Sequence, residues 1–192
     1  MGGGVTWQYA LRHPSRVDAM ILIDSTGLPE WRKSIRTDGE ARETPLAFRL
    51  LQQRWFRAIA ARLDPYYLVK QGLESSYNYS PVVDDELIMR YYELTLRHGT
   101  RHAILKRFDR PFNATAAFDL SKLTQPTLVM WGKEDSLIPY QTASKFAEVL
   151  PNAKVIIYDG VGHIPMEEIP ERSAEDVRQF LAGLTNRSDQ AN

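Results

Sequence analysis

The sequence predicts an α/β fold in which a parallel sheet carries a block of helices inserted between two of its strands. Short apolar runs followed by turn residues alternate with helical periodicity near both ends of the chain, a pattern that is typical of βαβ units. The middle of the chain shows helical periodicity alone. The apolar runs are nearly continuous, as expected for strands buried on both faces of a parallel sheet.

The first part of the chain, residues 1–27, is predicted to contribute one helix and one strand to the core. The helix runs from about Gly4 to His13, because the following proline moves the preceding residue out of the helical region. The strand covers Val17–Asp24, and Ser25–Gly27 ends it with turn residues. We expect the glycines at the start of the helix to let it pack closely on the strand.

Residues 28–118 are predicted to form a helical insertion. Thr44–Pro45 and Asp64–Pro65 each pair a capping residue with a proline that suits the first helical turn. A third helix begins at Asp84 or Asp85, ends at His98 and is followed by Gly99 as a left-handed C-cap, and a short fourth runs from Thr100 to Phe108. The apolar stripes expected on the first two helices are Leu51, Trp55, Ile59 and Leu63, and Tyr66, Val69 and Leu73.

This helical block is also rich in aromatic side chains. Helix packing uses most such side chains, and the excess predicts the apolar roof of a pocket for a small hydrophobic substrate. The block holds 13 of the chain's 20 aromatic residues: Trp31, Phe48, Trp55, Phe56, Tyr66, Tyr67, Tyr77, Tyr79, Tyr91, Tyr92, Phe108, Phe112 and Phe118.

Strand and helix alternate again in residues 119–185. The predicted strands are Thr127–Gly132 and Lys154–Asp159, and the helix between them is Gln141–Leu150. A last helix is expected from Pro170 to about Leu184, and residues 186–192 are expected to form a disordered polar tail.

The composition argues against several classes of protein. The formal net charge of zero offers no reason to expect a nucleic-acid partner. No apolar run approaches the roughly 18 residues that cross a bilayer, and the N-terminal residues lack the pattern of a signal peptide. The absence of Cys excludes disulfides and thiolate metal sites. We expect a cytoplasmic protein without a membrane partner.

Two residues at consecutive strand ends form a candidate catalytic pair. Asp135 follows the second predicted strand and His163 follows the third, where ligands bind in parallel sheets. An imidazole can take a proton from a nucleophile near neutral pH, while a carboxylate fixes its tautomer and stabilises the imidazolium. Either residue alone has a simpler explanation, as a turn cap or a loop histidine, but the two together favour catalysis.

Three stretches resemble capped members of the α/β-hydrolase superfamily. Residues 126–135, PTLVMWGKED, resemble the acid loop of that family, and residues 159–168, DGVGHIPMEE, resemble its histidine loop. The start, Met1 to Gly4 with the later HPSRVDAMILID, resembles the helix and strand that come after the nucleophile elbow Gly-x-Ser-x-Gly. The resemblance covers nearly all of the chain outside the helical block, and it implies an incomplete α/β-hydrolase fold in which that block is the cap.

The resemblance implies a catalytic triad in the chain order Ser, Asp, His. Asp135 would be the acid and His163 the base, with no cofactor and no metal. The nucleophile would lie immediately before Met1, and the backbone N–H of Met1 would form half of the oxyanion hole in the full-length context. Ser15, Ser25 and Ser136 lack the flanks of an elbow.

The sequence leaves several interpretations open. The first is a parent serine hydrolase that cleaves an ester, thioester or carbon–carbon bond, this chain being inactive alone. The second is an aspartate nucleophile, as in the haloalkane dehalogenases and epoxide hydrolases of the superfamily. The third is a non-catalytic truncated product, or a ligand-binding partner of a separate N-terminal half. A role for Asp24 as an alternative acid is also open.

Overall fold

The computed structural model describes residues 2–37, 46–107 and 118–190. Three parallel strands, in the spatial order β1-β2-β3, form a sheet within these ranges. In its register, Leu22 lies opposite Val129, which lies opposite Val155. The strands are β1 (Met20–Ile23), β2 (Thr127–Gly132) and β3 (Ala153–Tyr158).

Helices precede, separate and follow these strands, which confirms the predicted α/β fold. None of the helices within the described ranges is long and apolar enough to cross a membrane. The helices of the core are α1 (Gly2–Arg12), α8 (Gln141–Val149), α9 (Pro165–Glu168) and α10 (Pro170–Gln190), and those of the inserted block are α2 (Pro29–Thr37), α3 (Leu46–Leu51), α4 (Arg54–Ala60), α5 (Tyr66–Ser76), α6 (Asp85–Leu96) and α7 (Thr100–Arg107).

The central strand of the sheet is buried on both faces, as its continuous apolar run predicts. All six residues of β2 are buried. Alternate side chains of β2 join two hydrophobic clusters. Val129 and Trp131 pack with Trp7 and Phe146 in one cluster, while Met130 belongs to the other.

The first helix and strand differ from prediction mainly in their bounds. Helix α1 begins at Gly2, and a Cβ atom on Gly3 would collide with the side chain of Ser25, so the close approach expected of these glycines is present. Strand β1 is four residues long, half the predicted length. It ends at Ile23 because Asp24 has a φ of +42°, which takes the chain out of the extended region.

The prediction for the first helix of the inserted block is corrected by the structure. Its predicted start, Thr44–Pro45, lies outside the described residues, and two short helices, α3 and α4, stand where one was expected. The predicted apolar stripe is largely exposed: Trp55, Ile59 and Leu63 are 61%, 48% and 58% accessible. Arg57, on another face of α4, is buried instead and donates to the carbonyl oxygens at the end of α3.

The two helices that follow in the inserted block, α5 and α6, begin close to their predicted start signals. The Asp64 carboxylate accepts a hydrogen bond from the N–H of Tyr66 at the start of α5, and Asp84 caps α6 through the N–H of Leu87. Gly99 has the expected positive φ of +81°. The predicted end of the fourth helix, Phe108, lies outside the described residues, and α2 was not predicted.

The last helix is longer than predicted. Helix α10 continues to Gln190, into the stretch that was expected to be a disordered tail. This stretch carries no Gly or Pro that would stop a helix. Residues 191–192 lie outside the described residues, and the four-residue helix α9 after the histidine loop was missed because it is a single turn.

Candidate active site

Three titratable side chains meet at the carboxyl edge of the sheet. Asp24 directly follows β1, Asp135 lies in the loop after β2, and His163 lies in the loop after β3. One ligand atom from each of the three lies within 4.8 Å of the others. The structure therefore brings the two predicted residues together and adds Asp24 to them.

Asp135 and His163 form a direct hydrogen-bonded pair. Nδ1 of the imidazole lies 2.7 Å from Oδ2 of Asp135, whose side chain is fully buried, while that of His163 is 22% exposed. The other oxygen, Oδ1, accepts hydrogen bonds from the backbone N–H groups of Leu137 and Ile138 at 2.7 and 3.0 Å. Asp135 thus caps its own turn and orients the imidazole, whose Nε2 remains for proton transfer.

The histidine loop is held by the glutamate that follows it. Both carboxylate oxygens of Glu168 accept from the backbone N–H of Gly162, at 3.0 and 2.9 Å, and one accepts from that of Ile164 at 3.3 Å. Burial raises the pKa of Glu168, and these backbone donors act against that rise. The two N–H groups flank His163, so Glu168 fixes the backbone on both sides of the imidazole.

The C-terminal turn of α5, residues 75–78, contacts both the acid loop and the histidine loop. The backbone carbonyl of Ser76 accepts from the N–H of His163 at 2.6 Å, and that of Ser75 accepts from the hydroxyl of Ser136 in the acid loop at 2.9 Å. A Cβ atom on Gly162 would collide with the Ser76 carbonyl oxygen. The glycine in the histidine loop is therefore what lets the cap approach this closely.

A second contact between the cap and the histidine loop runs through Glu167. Its carboxylate accepts from the hydroxyl of Tyr77 at 2.5 Å and from that of Tyr91 at 3.0 Å. Burial and the bond to Glu167 raise the pKa of Tyr77, so its hydroxyl remains a proton donor. Tyr77 and Tyr91 were predicted only as aromatic residues of the helical block. Their contact with Glu167 was missed, since no local pattern relates side chains up to 90 positions apart.

Asp24 is buried but only half satisfied by hydrogen bonds. It is 3% exposed, and its Oδ1 accepts from the backbone N–H of Gly132 at 3.1 Å. Its Oδ2 has no hydrogen-bond partner among the described residues. Burial, followed by the nearby Asp135, raises the pKa of Asp24 to about 10. The carboxylate that hydrogen-bonds to His163 is that of Asp135.

The spacing of Asp24, Asp135 and His163 is one that a divalent cation could span. Both oxygens of Asp135 are already acceptors of hydrogen bonds, however, and the imidazole Nδ1 contacts Oδ2 directly. This donor arrangement is that of a hydrogen-bonded acid and base, and it satisfies the same atoms that a metal would need.

The structure tests the remaining sequence predictions about the site only in part. Met1, the expected oxyanion donor, lies outside the described residues. The hydroxyl of Ser25 donates to the Thr26 carbonyl and that of Ser136 to the Ser75 carbonyl. Among the aromatic residues, Tyr77 is fully buried in the cap, whereas Trp55, Tyr67 and Tyr79 are exposed. Phe108 and Phe112 lie outside the described residues.

Known proteins resemble this chain over nearly its whole length. The family model described as alpha/beta hydrolase fold matches residues 1–170. A 2-hydroxymuconate semialdehyde hydrolase from Pseudomonas putida is 26% identical over 204 residues, which cover 94% of this chain and 59% of that protein. Lipase 3 of Moraxella sp. (strain TA144) is 24% identical, over 96% of this chain and 54% of its own length.

Solved structures show the same fold. A meta-cleavage product hydrolase from Pseudomonas fluorescens IP01 matches with a TM-score of 0.71 at 21% identity, over 99% of this chain and 62% of that one. A serine hydrolase from the polyaromatic hydrocarbon-degrading bacterium Cycloclasticus zankles matches with a TM-score of 0.70 at 18% identity, over 96% and 62% of the two chains. The chain thus spans less than two thirds of the length of each of these proteins.

Proposed function

Because the chain belongs to the α/β-hydrolase fold family, we propose that it carries the acid and the base of a hydrolase that cleaves an ester or carbon–carbon bond in a small hydrophobic molecule. The match to the family model confirms the family that was predicted from the sequence. The observation that carries the proposal is the 2.7 Å contact between His163 Nδ1 and the buried Asp135 carboxylate.

His163 acts first as a base and then as an acid in this proposal. Its Nε2 takes the proton of the attacking hydroxyl and later gives it to the leaving group. Asp135 keeps the Nδ1 proton on the ring and stabilises the imidazolium that forms. Because two backbone N–H groups already hold Asp135, the acid needs no rearrangement during the reaction.

The nucleophile is proposed to be a serine outside the described residues. The relatives support serine in two ways: they include lipases and a 2-hydroxymuconate semialdehyde hydrolase, and a neighbour in structure is named a serine hydrolase. An aspartate nucleophile is the second candidate, because Epoxide hydrolase 1 of Caenorhabditis elegans is also among the relatives, at 22% identity. Codons for Gly-x-Ser just upstream of Met1 would support serine, and Gly-x-Asp would support aspartate.

Turnover by the full-length protein tests the proposal. The substrates are p-nitrophenyl esters of short and long acyl chains and 2-hydroxymuconate semialdehyde, chosen from the names of the relatives. Replacing His163 by Ala is expected to lower kcat/KM by about 10⁴-fold, because the base is lost. The control is His102→Ala, an exposed histidine in α7, for which activity is expected to stay within about twofold. Equal rates for the two variants would contradict the proposal.

Residues 1–192 expressed alone are proposed to aggregate and to give no turnover. Within the described residues β1 is an edge strand, and an open apolar edge favours aggregation. Ester hydrolysis by this chain alone that disappears in His163→Ala would overturn this part of the proposal.

A further inference from the structure

Asp24 and Asp135 place two carboxyl groups side by side in a buried site. Both are 3% exposed, and their oxygens lie within 4.8 Å of each other and of the His163 ring. Two ionised carboxylates that are this close together and shielded from solvent repel each other strongly. A site of this kind therefore holds a proton on one of them.

The two carboxyl groups differ in the hydrogen bonds they accept. Asp135 accepts from three donors, the backbone N–H groups of Leu137 and Ile138 and the His163 imidazole. Such a set stabilises a carboxylate. Asp24 accepts from a single donor, Gly132, and its Oδ2 has no partner among the described residues. The proton therefore belongs on Asp24, whose unpartnered oxygen is the one that can carry it.

The groups around Asp24 also favour its protonated form. The titratable groups facing it from the packed elements are Asp135 in the acid loop, His163 in the histidine loop, Glu168 in α9 and Tyr158 in β3. Asp135 and Glu168 add negative charge, and burial adds the largest effect of all, which together raise the pKa of Asp24. His163 is already paired with Asp135.

We propose that Asp24 is a positioning residue that stays protonated at neutral pH and donates a hydrogen bond through its O–H group to the Asp135 carboxylate. The positioning role rests on the proposed function, whereas the proton on Asp24 does not. A neutral Asp24 steadies Asp135 without placing a second negative charge beside the imidazole. Aspartate also tolerates the φ of +42° at this position better than most residues do.

Carbon-13 NMR of the full-length protein labelled at the aspartate carboxyl carbons tests where the proton lies. At neutral pH one resonance is expected at the chemical shift of a protonated acid, and it should disappear in Asp24→Asn. The control is Asp18→Asn, an exposed aspartate, which should leave that resonance in place. Carboxylate shifts for every aspartate at neutral pH would overturn the proposal, whatever the protein hydrolyses.

The pH dependence of thermal unfolding provides a second readout. The unfolded chain releases the Asp24 proton above pH 3.8, while the folded protein holds it to about pH 10, so stability falls as the pH rises through this window. The melting temperature of Asp24→Asn, relative to that of the wild type, should therefore increase as the pH is raised. The melting temperature of Asp18→Asn should change with pH in the same way as that of the wild type. Parallel curves for Asp24→Asn and the wild type would contradict the proposal.

Catalysis by the full-length protein tests the positioning role. Asp24→Ala removes both the proton and the acceptor for Gly132, and is expected to lower kcat at least about tenfold with little change in KM. Asp24→Asn keeps a donor to Asp135 and is expected to recover most of that loss. Equal kcat values for Asp24→Ala and the wild type would overturn the role, while an inactive wild type would refute the proposed function and leave the NMR result to decide the proton.

Discussion

Two parts of the inserted helical block differ in how far their apolar side chains are buried. We call α5, α6 and the turn between them the inner cap, and α4 with residues 61–63 the outer cap. Both carry large apolar residues at helical spacing. In the inner cap Leu73, Tyr77 and Ile88 are at most 6% exposed, and Ile164 from the histidine loop packs against them. In the outer cap Trp55, Ile59 and Leu63 are 48–61% exposed.

The difference shows that a periodic apolar stripe predicts a helix but does not by itself predict burial. The inner cap is buried because the turn at the end of α5 is hydrogen-bonded to both the acid loop and the histidine loop. In addition, the Glu167 carboxylate accepts from the hydroxyl groups of Tyr77 and Tyr91. The outer cap instead turns Arg57 toward α3. The inner cap is therefore the part of the insertion that shapes the site.

The largest expected difference between the inner and the outer cap is in the free energy of unfolding when a leucine of each is replaced by alanine. Leu73→Ala leaves a cavity in the inner cap and should lower the free energy of unfolding by about 2–4 kcal/mol. Leu63→Ala trims a side chain that is 58% exposed and should change it by less than about 0.5 kcal/mol. Urea unfolding of both variants measures these values, and similar losses would mean that the outer cap is buried in the same way.

A smaller difference in stability is expected between two tyrosines near the end of α5 when each is replaced by phenylalanine. Tyr77→Phe removes a buried hydrogen bond to a carboxylate and should cost about 1–3 kcal/mol. Tyr79→Phe removes a hydroxyl from a residue that is 76% exposed and should cost less than about 0.5 kcal/mol. Chemical unfolding of the two variants measures the difference, and the same small change in both would show that the Tyr77–Glu167 contact does not hold the cap to the loop.

The success of prediction from the sequence depends on the range of the interactions involved. The strands β2 and β3 were found because buried apolar runs are local signals, and Asp135 and His163 were found because they follow those strands. Asp64 and Asp84 gave reliable helix starts because the carboxylate of each accepts from a backbone N–H in the first turn of the helix that follows.

Contacts between distant segments could not be predicted in this way. Tyr77 and Glu167 meet only when the cap folds onto the loop. The break between α3 and α4 was missed because the exposed stripe continues across it. Asp24 was recognised as a strand-end residue, but its burial beside Asp135 depends on the packing of three loops.

The central claim, that Asp135 and His163 act as one unit, is tested most directly by a double-mutant cycle on kcat/KM in the protein together with its proposed nucleophile. The variants are Asp135→Ala, His163→Ala and the two combined, assayed on the best substrate found. Because Asp135 acts through the imidazole, the double variant should be no slower than His163→Ala alone. Losses that add in full, with the double variant slower by the product of the two single effects, would contradict the account.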